Sequence, residues 1–241
     1  MRIPLMVLLM VVGGLQGVRA DFAKDVARIH VEAVGGRENV DALKAFKATG
    51  VTHGERGELR FIMWAARPNA LRIEITSGER TILQAWDGRS EPWLADSQTR
   101  RVSVMRGERA DELKAEAEFD NPMLAGPDRK VSLDYVGMVE EGGRKLIKVF
   151  VTQKFTETSF IYLDPVSYLI VRRDVPRQRG DKRVILRTDY HDFRPVAGVM
   201  LPHRLVVSQA GKQVHETIIE RIEANPRMAA ELFELPGVKR K

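Results

Sequence analysis

The chain contains no cysteine. That excludes disulfides, thiolate metal sites and a lipid-modified N-terminal cysteine. Recognisable catalytic signatures are missing too: there is no GxSxG elbow, no GxxxxGK phosphate loop, no GxGxxG after a strand and no HExxH. Neither sign of charge dominates, with 39 Lys and Arg against 33 Asp and Glu, a formal balance of +6. The basic residues are scattered apart from Arg172-Arg173 with Arg177 and Arg179, and the tail Lys239-Arg240-Lys241. Such a distribution is that of a solvated surface rather than a nucleic-acid footprint, with weak attraction to anionic headgroups as the lesser reading.

One long apolar run is present, Ile3 to Leu15, behind Arg2 and ahead of Val18-Arg19-Ala20. The run is short for a membrane span and ends on a small-residue cleavage pattern. Residues 1–20 therefore read as a cleaved signal peptide, with an uncleaved anchor as the alternative, and residues 21–241 as one domain exported to an oxidising compartment. Without disulfides, that domain must rely on its core.

After the leader, Phe22, Val26, Ile29 and Ala33 lie at helical spacing and Gly35-Gly36 supplies a stop. Val40, Leu43 and Phe46 suggest a second short helix. From Lys47 onward, short runs rich in Val, Ile, Leu, Thr and aromatics alternate with turn signals such as Pro68-Asn69, Ser77-Gly78, Gly142-Gly143 and Ala210-Gly211. About a dozen short-linked strands predict an antiparallel meander that curls instead of staying flat. The sequence from Gly107 to Phe119 is helix-forming and NPMLAGPD follows it, a helix and apolar loop that are either a lid or an ordinary crossover.

The stretch Leu59–Met105 holds all three tryptophans. In ELRFIMWAARP, Leu59, Phe61 and Met63 face one way and Arg60, Ile62 and Trp64 the other, so both faces are substantially apolar. Either a second layer covers this ribbon or one face lines a cavity for an apolar guest. Trp64, Trp86, Trp93, Met105, Phe119, Met123 and Leu124 are the candidate lining, with core packing as the alternative for each. A sixteen-carbon chain removed from water gains of order 12 kcal/mol gross at about 0.8 kcal/mol per methylene.

The polar residues point to no catalytic site, metal or cofactor. Of the histidines 30, 53, 191, 203 and 215, no two stand at metal-binding spacing. Asp189 and His191 would share a strand face, and a solvated strand end explains them better than an ion does.

The phrases HVEAVGGRENVDALKAFKATG (30–50), QAWDGRSEPW (84–93), TDYHDFRPVAGVMLPHRL (188–205) and IERIEANPRMAAELFELP (219–236) resemble, in their order and spacing, the periplasmic lipoprotein carriers LolA and LolB and the wider outer-membrane lipoprotein-sorting group. The resemblance implies a mainly β fold with a few helices, an antiparallel sheet bent into an open half-barrel with helices over its concave side. It implies acyl chains of a lipid or lipoprotein in the cavity, no enzyme activity, an inner-membrane donor and an outer-membrane acceptor, and transient membrane contact. Lacking cysteine, the chain resembles the soluble shuttle more than the anchored receptor. A protein-interaction or sensor module on the same scaffold is the second reading. No arginine stands out in the sequence as one that would latch the cover.

Overall fold

The computed structural model describes residues 12–237 except 56, 125–130, 154–157 and 180, with backbone alone for 12–21 and Arg179. Residues 1–11 of the expected leader, the end of NPMLAGPD and the basic tail lie outside the described residues.

Turn chemistry sets the topology. Hairpins join β1 (Ala45–Gly54), β2 (Gly57–Ala66), β3 (Ala70–Ser77), β4 (Arg80–Trp86), β5 (Trp93–Asp96) and β6 (Arg101–Val104). A second run comprises β7 (Ser132–Glu141), β8 (Arg144–Thr152), β9 (Thr158–Leu163), β10 (Ile170–Arg179), β11 (Lys182–Val196), β12 (Val199–Gln209) and β13 (Lys212–Ala224). The two meanders meet where β1 pairs with β13, giving one thirteen-stranded antiparallel sheet in the order β6-β5-β4-β3-β2-β1-β13-β12-β11-β10-β9-β8-β7. Its edges, β6 and β7, do not pair with each other, so the sheet is an open half-barrel.

This order forces the link from β6 to β7 to travel from one edge of the sheet to the other. It does so as helix α3 (Glu108–Glu116) and a 3-10 turn at Pro122–Leu124. Helices α1 (Val12–Ala33) and α2 (Gly36–Ala42) complete the covering layer. The helix expected to reach Phe46 stops at Ala42, because Leu43 is extended and Phe46 already belongs to β1.

Register explains why both faces of the tryptophan ribbon are apolar. Phe46, Ala65, Leu71 and Trp86 form one cross-strand row, and Ala48, Met63 and Ile73 the next row on the same, concave face. Ala110 and Leu113 of α3, with Ala117 at its C-cap, pack on Ala65, Leu71, Trp86 and Met105. The intervening row, Lys47–Trp64–Arg72–Ala85–Trp93, faces the other way. There the C-terminal segment covers it: Trp93 Nε1 donates to the Phe233 carbonyl (3.0 Å) and Arg72 Nη1 to the Leu232 carbonyl (3.1 Å). A second layer thus covers part of each face.

On the far half of the sheet, Val26 of α1 and Met123 of the crossover pack on Ile147, Val149, Val151, Ile161 and Leu163. Phe22 meets Tyr135 in a tilted ring pair, with centroids 4.4 Å apart. The turn between α1 and α2 is pinned to the β11–β12 hairpin. Gly35 has φ +123°, and a Cβ there would stand 2.0 Å from the Gly198 carbonyl oxygen. Only glycine tolerates both the dihedral and the approach. Asn39 Nδ2 donates to the Gly35 carbonyl (2.8 Å) and the Met200 amide to the Val34 carbonyl (2.8 Å).

Candidate functional site

Between the two packed flanks the covering layer stands off the sheet and leaves a cavity of about 270 Å³. Its floor is the middle of the sheet: Ala48 and Met63, then Ile219 and Ile222, Leu201 and Leu205, Tyr190 and Phe193, and Ile170 with Arg173. Its roof is His30 and Val34 of α1 with Phe119, Asn121, Pro122 and Leu124 of the crossover.

Two irregularities in the pairing compose that floor. Between β1 and β13 the register shifts at Thr49/Gly50, where Gly50 opposes Ile219 and Thr49 opposes Arg221. The extra residue puts Ile219 and Ile222 on one face despite their spacing of three. A Cβ on Gly50 would meet the Ile218 carbonyl oxygen at 2.1 Å, so glycine belongs at this bulge. The second shift lies between Ile170 and Arg172 in the β9–β10 pair. It leaves Val171 and Arg172 on the convex side and returns Arg173 to the concave side with Ile170.

Of the seven residues proposed as lining, Phe119 and Leu124 line the cavity. Trp86 and Met105 are packed beneath α3, Met123 lies in the core under α1, and Trp93 is sealed beneath Phe233. Trp64 stands on the convex face between Lys47 and Arg72, whose cationic groups lie 5.4 and 5.6 Å from its ring centroid. The polar residues of the site are ones the sequence did not single out. Arg173 Nη2 donates to Gln153 Oε1 (3.0 Å), and Gln153 Nε2 in turn donates to Glu118 of the crossover. Burial pulls the Arg173 pKa below its ordinary value, against the support of Tyr190 and Glu118. Burial likewise pushes the Tyr190 phenol up.

Arg67, at the end of β2, holds the roof in place. Its guanidinium pairs with Asp120 of the crossover, donates from Nε to the Leu43 carbonyl (2.8 Å) and from Nη2 to the Val40 carbonyl (2.8 Å). It also lies over the Phe119 ring, 4.7 Å from its centroid. One side chain thereby ties crossover, sheet and the C-terminal carbonyls of α2, where a cation suits the helix dipole.

His30 is the second tie. Its Nδ1 is 2.8 Å from the Tyr168 carbonyl, which can only accept, so the neutral ring carries its proton there. Nε2 is then the acceptor for Asn121 Nδ2 at 3.3 Å, while Asn121 Oδ1 accepts from the Met123 amide. Burial holds the His30 pKa below its ordinary 6.5. The unfolded chain therefore binds the proton first on acidification. The His30 contribution should be complete above pH 6.5, fall as the pH drops below it, and level off beneath the folded pKa. Urea midpoints between pH 5 and 8 check this: the wild-type slope should be steeper than that of His30→Gln, and equal slopes would refute the assignment.

Among the described residues no group of His, Asp and Glu could hold a metal ion, and no helix is long and apolar enough to cross a membrane. No protein-family model matches the chain, and neither does any curated protein sequence. Solved structures do. An outer membrane lipoprotein-sorting protein domain from Vibrio parahaemolyticus aligns with TM-score 0.59 and 9% identity over 88% of this chain and 97% of its own. A LolA superfamily protein from Nitrosomonas europaea gives 0.59 and 10% over 88% and 97%. A DUF1329 family protein from Desulfovibrio piger gives 0.58 and 11% over 90% and 97%. At such identities the likeness is one of architecture, and it extends over nearly the whole of each partner: this chain has a LolA-like fold.

Proposed function

We propose that this protein is a periplasmic carrier that holds the acyl portion of a lipid or lipoprotein in the cavity beneath its crossover and moves it toward the outer membrane. The observation that carries the reading is the cavity itself, walled almost entirely by apolar side chains and roofed by a segment tied down through Arg67 and His30. Sheltering an apolar tail from water is the chemistry such a space offers. Opening the roof would admit more of a chain than the closed volume holds. The solved lipoprotein-sorting domain of the same fold supports the choice of cargo class. The route follows from the leader-like N-terminus, and a donor and an acceptor protein at the two membranes would be its partners.

Organic extraction of the purified protein followed by mass spectrometry should recover lipid, and a fluorescent fatty acid should bind and be displaced by unlabelled lipid. Leu205→Glu puts a carboxylate into the cavity floor and should weaken that binding tenfold or more while melting stays cooperative. Absence of extracted lipid together with absence of fluorescent binding would end the carrier reading. Co-purification of one defined protein instead would favour the sensor or interaction module.

A further inference from the structure

We propose that the cavity takes a single-chain amphiphile with a carboxylate head, a long-chain fatty acid anion, and that Arg173 receives the head. This rests on the carrier reading and narrows its substrate class.

The wall supplies the argument. Its described lining contains one arginine and no aspartate or glutamate, with His30, Asn121 and Tyr190 as the other polar side chains. The β9–β10 bulge turns that arginine inward, since regular alternation from Ile170 would have sent it to the convex side. The guanidinium is oriented once it is there: Arg173 Nη2 is fixed on Gln153 Oε1 at 3.0 Å, and the Gln153 amide is fixed by Glu118. Arg177 adds like charge nearby, and desolvation outweighs the support from Tyr190 and Glu118. A guanidinium fork matches the planar two-oxygen head of a carboxylate. Size argues the same way, because about 270 Å³ falls short of the ~300–1,000 Å³ of drug-sized sites. One chain is a better fit than the several acyl chains of a lipoprotein anchor.

The test compares palmitate, methyl palmitate and a palmitoyl lysophospholipid as competitors for a bound fluorescent probe. The wild-type protein should prefer palmitate to its methyl ester by about tenfold to a hundredfold, the span expected of charge-assisted hydrogen bonds. Arg173→Gln should erase that ratio, a pattern that loss of packing alone would not produce. A wild-type preference under threefold overturns the inference and leaves the carrier reading standing. The lysophospholipid winning over palmitate overturns the carboxylate assignment in favour of a phosphate head. No competition by any of the three, with no lipid extracted, removes both. The wild-type comparison decides the matter even if Arg173→Gln fails to fold.

Discussion

Arg67→Met should lower stability by about 3–5 kcal/mol, the range for removing one partner of a buried ion pair. The side chains concerned are 20% and 7% exposed, so solvent screens the pair little. Methionine keeps much of the aliphatic stem, yet the Asp120 carboxylate remains in its buried position without the guanidinium. The carbonyls of Leu43 and Val40 lose their donors as well. For a domain of this size, at about 2–4 °C per kcal/mol, the melting temperature should drop by roughly 6–20 °C. The loss should also be local. Hydrogen exchange in residues 118–124 and in α2 should accelerate more than exchange in β12 and β13, because Arg67 joins those segments and not the sheet interior. Arg67→Met combined with Asp120→Asn should recover part of the loss, and the double-mutant cycle measures the pair directly. A drop below about 1 kcal/mol with unchanged exchange would show that the roof is held by its apolar contacts alone.

That arginine also shows where sequence reading stops. Hairpins are local events, so Pro68-Asn69, Ser77-Gly78, Gly142-Gly143 and Ala210-Gly211 mark real reversals, and the meander with its half-barrel follows from them. Amphipathic spacing in 107–119 likewise marks α3, whose Leu113 is buried. Strand β5 is less legible, because Trp93–Asp96 follows a stretch dense in Asp, Gly, Ser and Pro. Arg67 and Asp120 are 53 residues apart, and nothing in either neighbourhood announces the other.

The site is obscured for two further reasons. Cavity lining and core draw on the same residue types, so composition cannot divide Phe119 and Leu124, which reach the cavity, from Trp86, Met105 and Met123, which α1 and α3 press into the core. Register does not separate them either: Phe46 stands in the cross-strand row of Trp86 and lines the cavity, while Trp86 packs beneath α3. A bulge breaks the period-two rule as well, and it decides which of Arg172 and Arg173, which read as a basic surface pair, turns inward.

The outward member of that pair should be as costly to remove as Arg67. Arg172 is 5% exposed and Asp174 7%. Arg172 donates to Asp174 from Nε (2.8 Å) and Nη2 (2.5 Å), pairs with Glu141, and lies 4.1 Å from the Tyr162 ring centroid. The Tyr162 hydroxyl donates to Asp174 at 3.2 Å, and burial together with the Asp174 charge pushes its pKa up to about 12. Burial pushes Asp174 up too, but the hydrogen bonds and charge of Arg172, with Arg187 and Tyr162, more than offset it and hold the carboxyl below its usual 3.8. Its stabilising contribution is therefore present above pH 3.8 and is lost as the pH falls through the lower folded value. Arg172→Met removes the main counterweight and leaves the burial, at a cost of about 3–5 kcal/mol near neutral pH. Desolvation then dominates Asp174, its folded pKa rises above that of the unfolded chain, and folding takes up a proton on acidification. The gap between variant and wild type should consequently narrow as the pH is lowered through the raised value, whereas loss of packing would give a gap that ignores pH. Changing Asp174 to leucine in the same chain should restore most of the stability, since an apolar pair of similar volume avoids the desolvation of both charges. Urea titrations of the three proteins at pH 4, 5.5 and 7 would decide it, and a pH-independent gap with no recovery in the double variant would mean that Arg172 acts through its packing on Tyr162 and not through its charge.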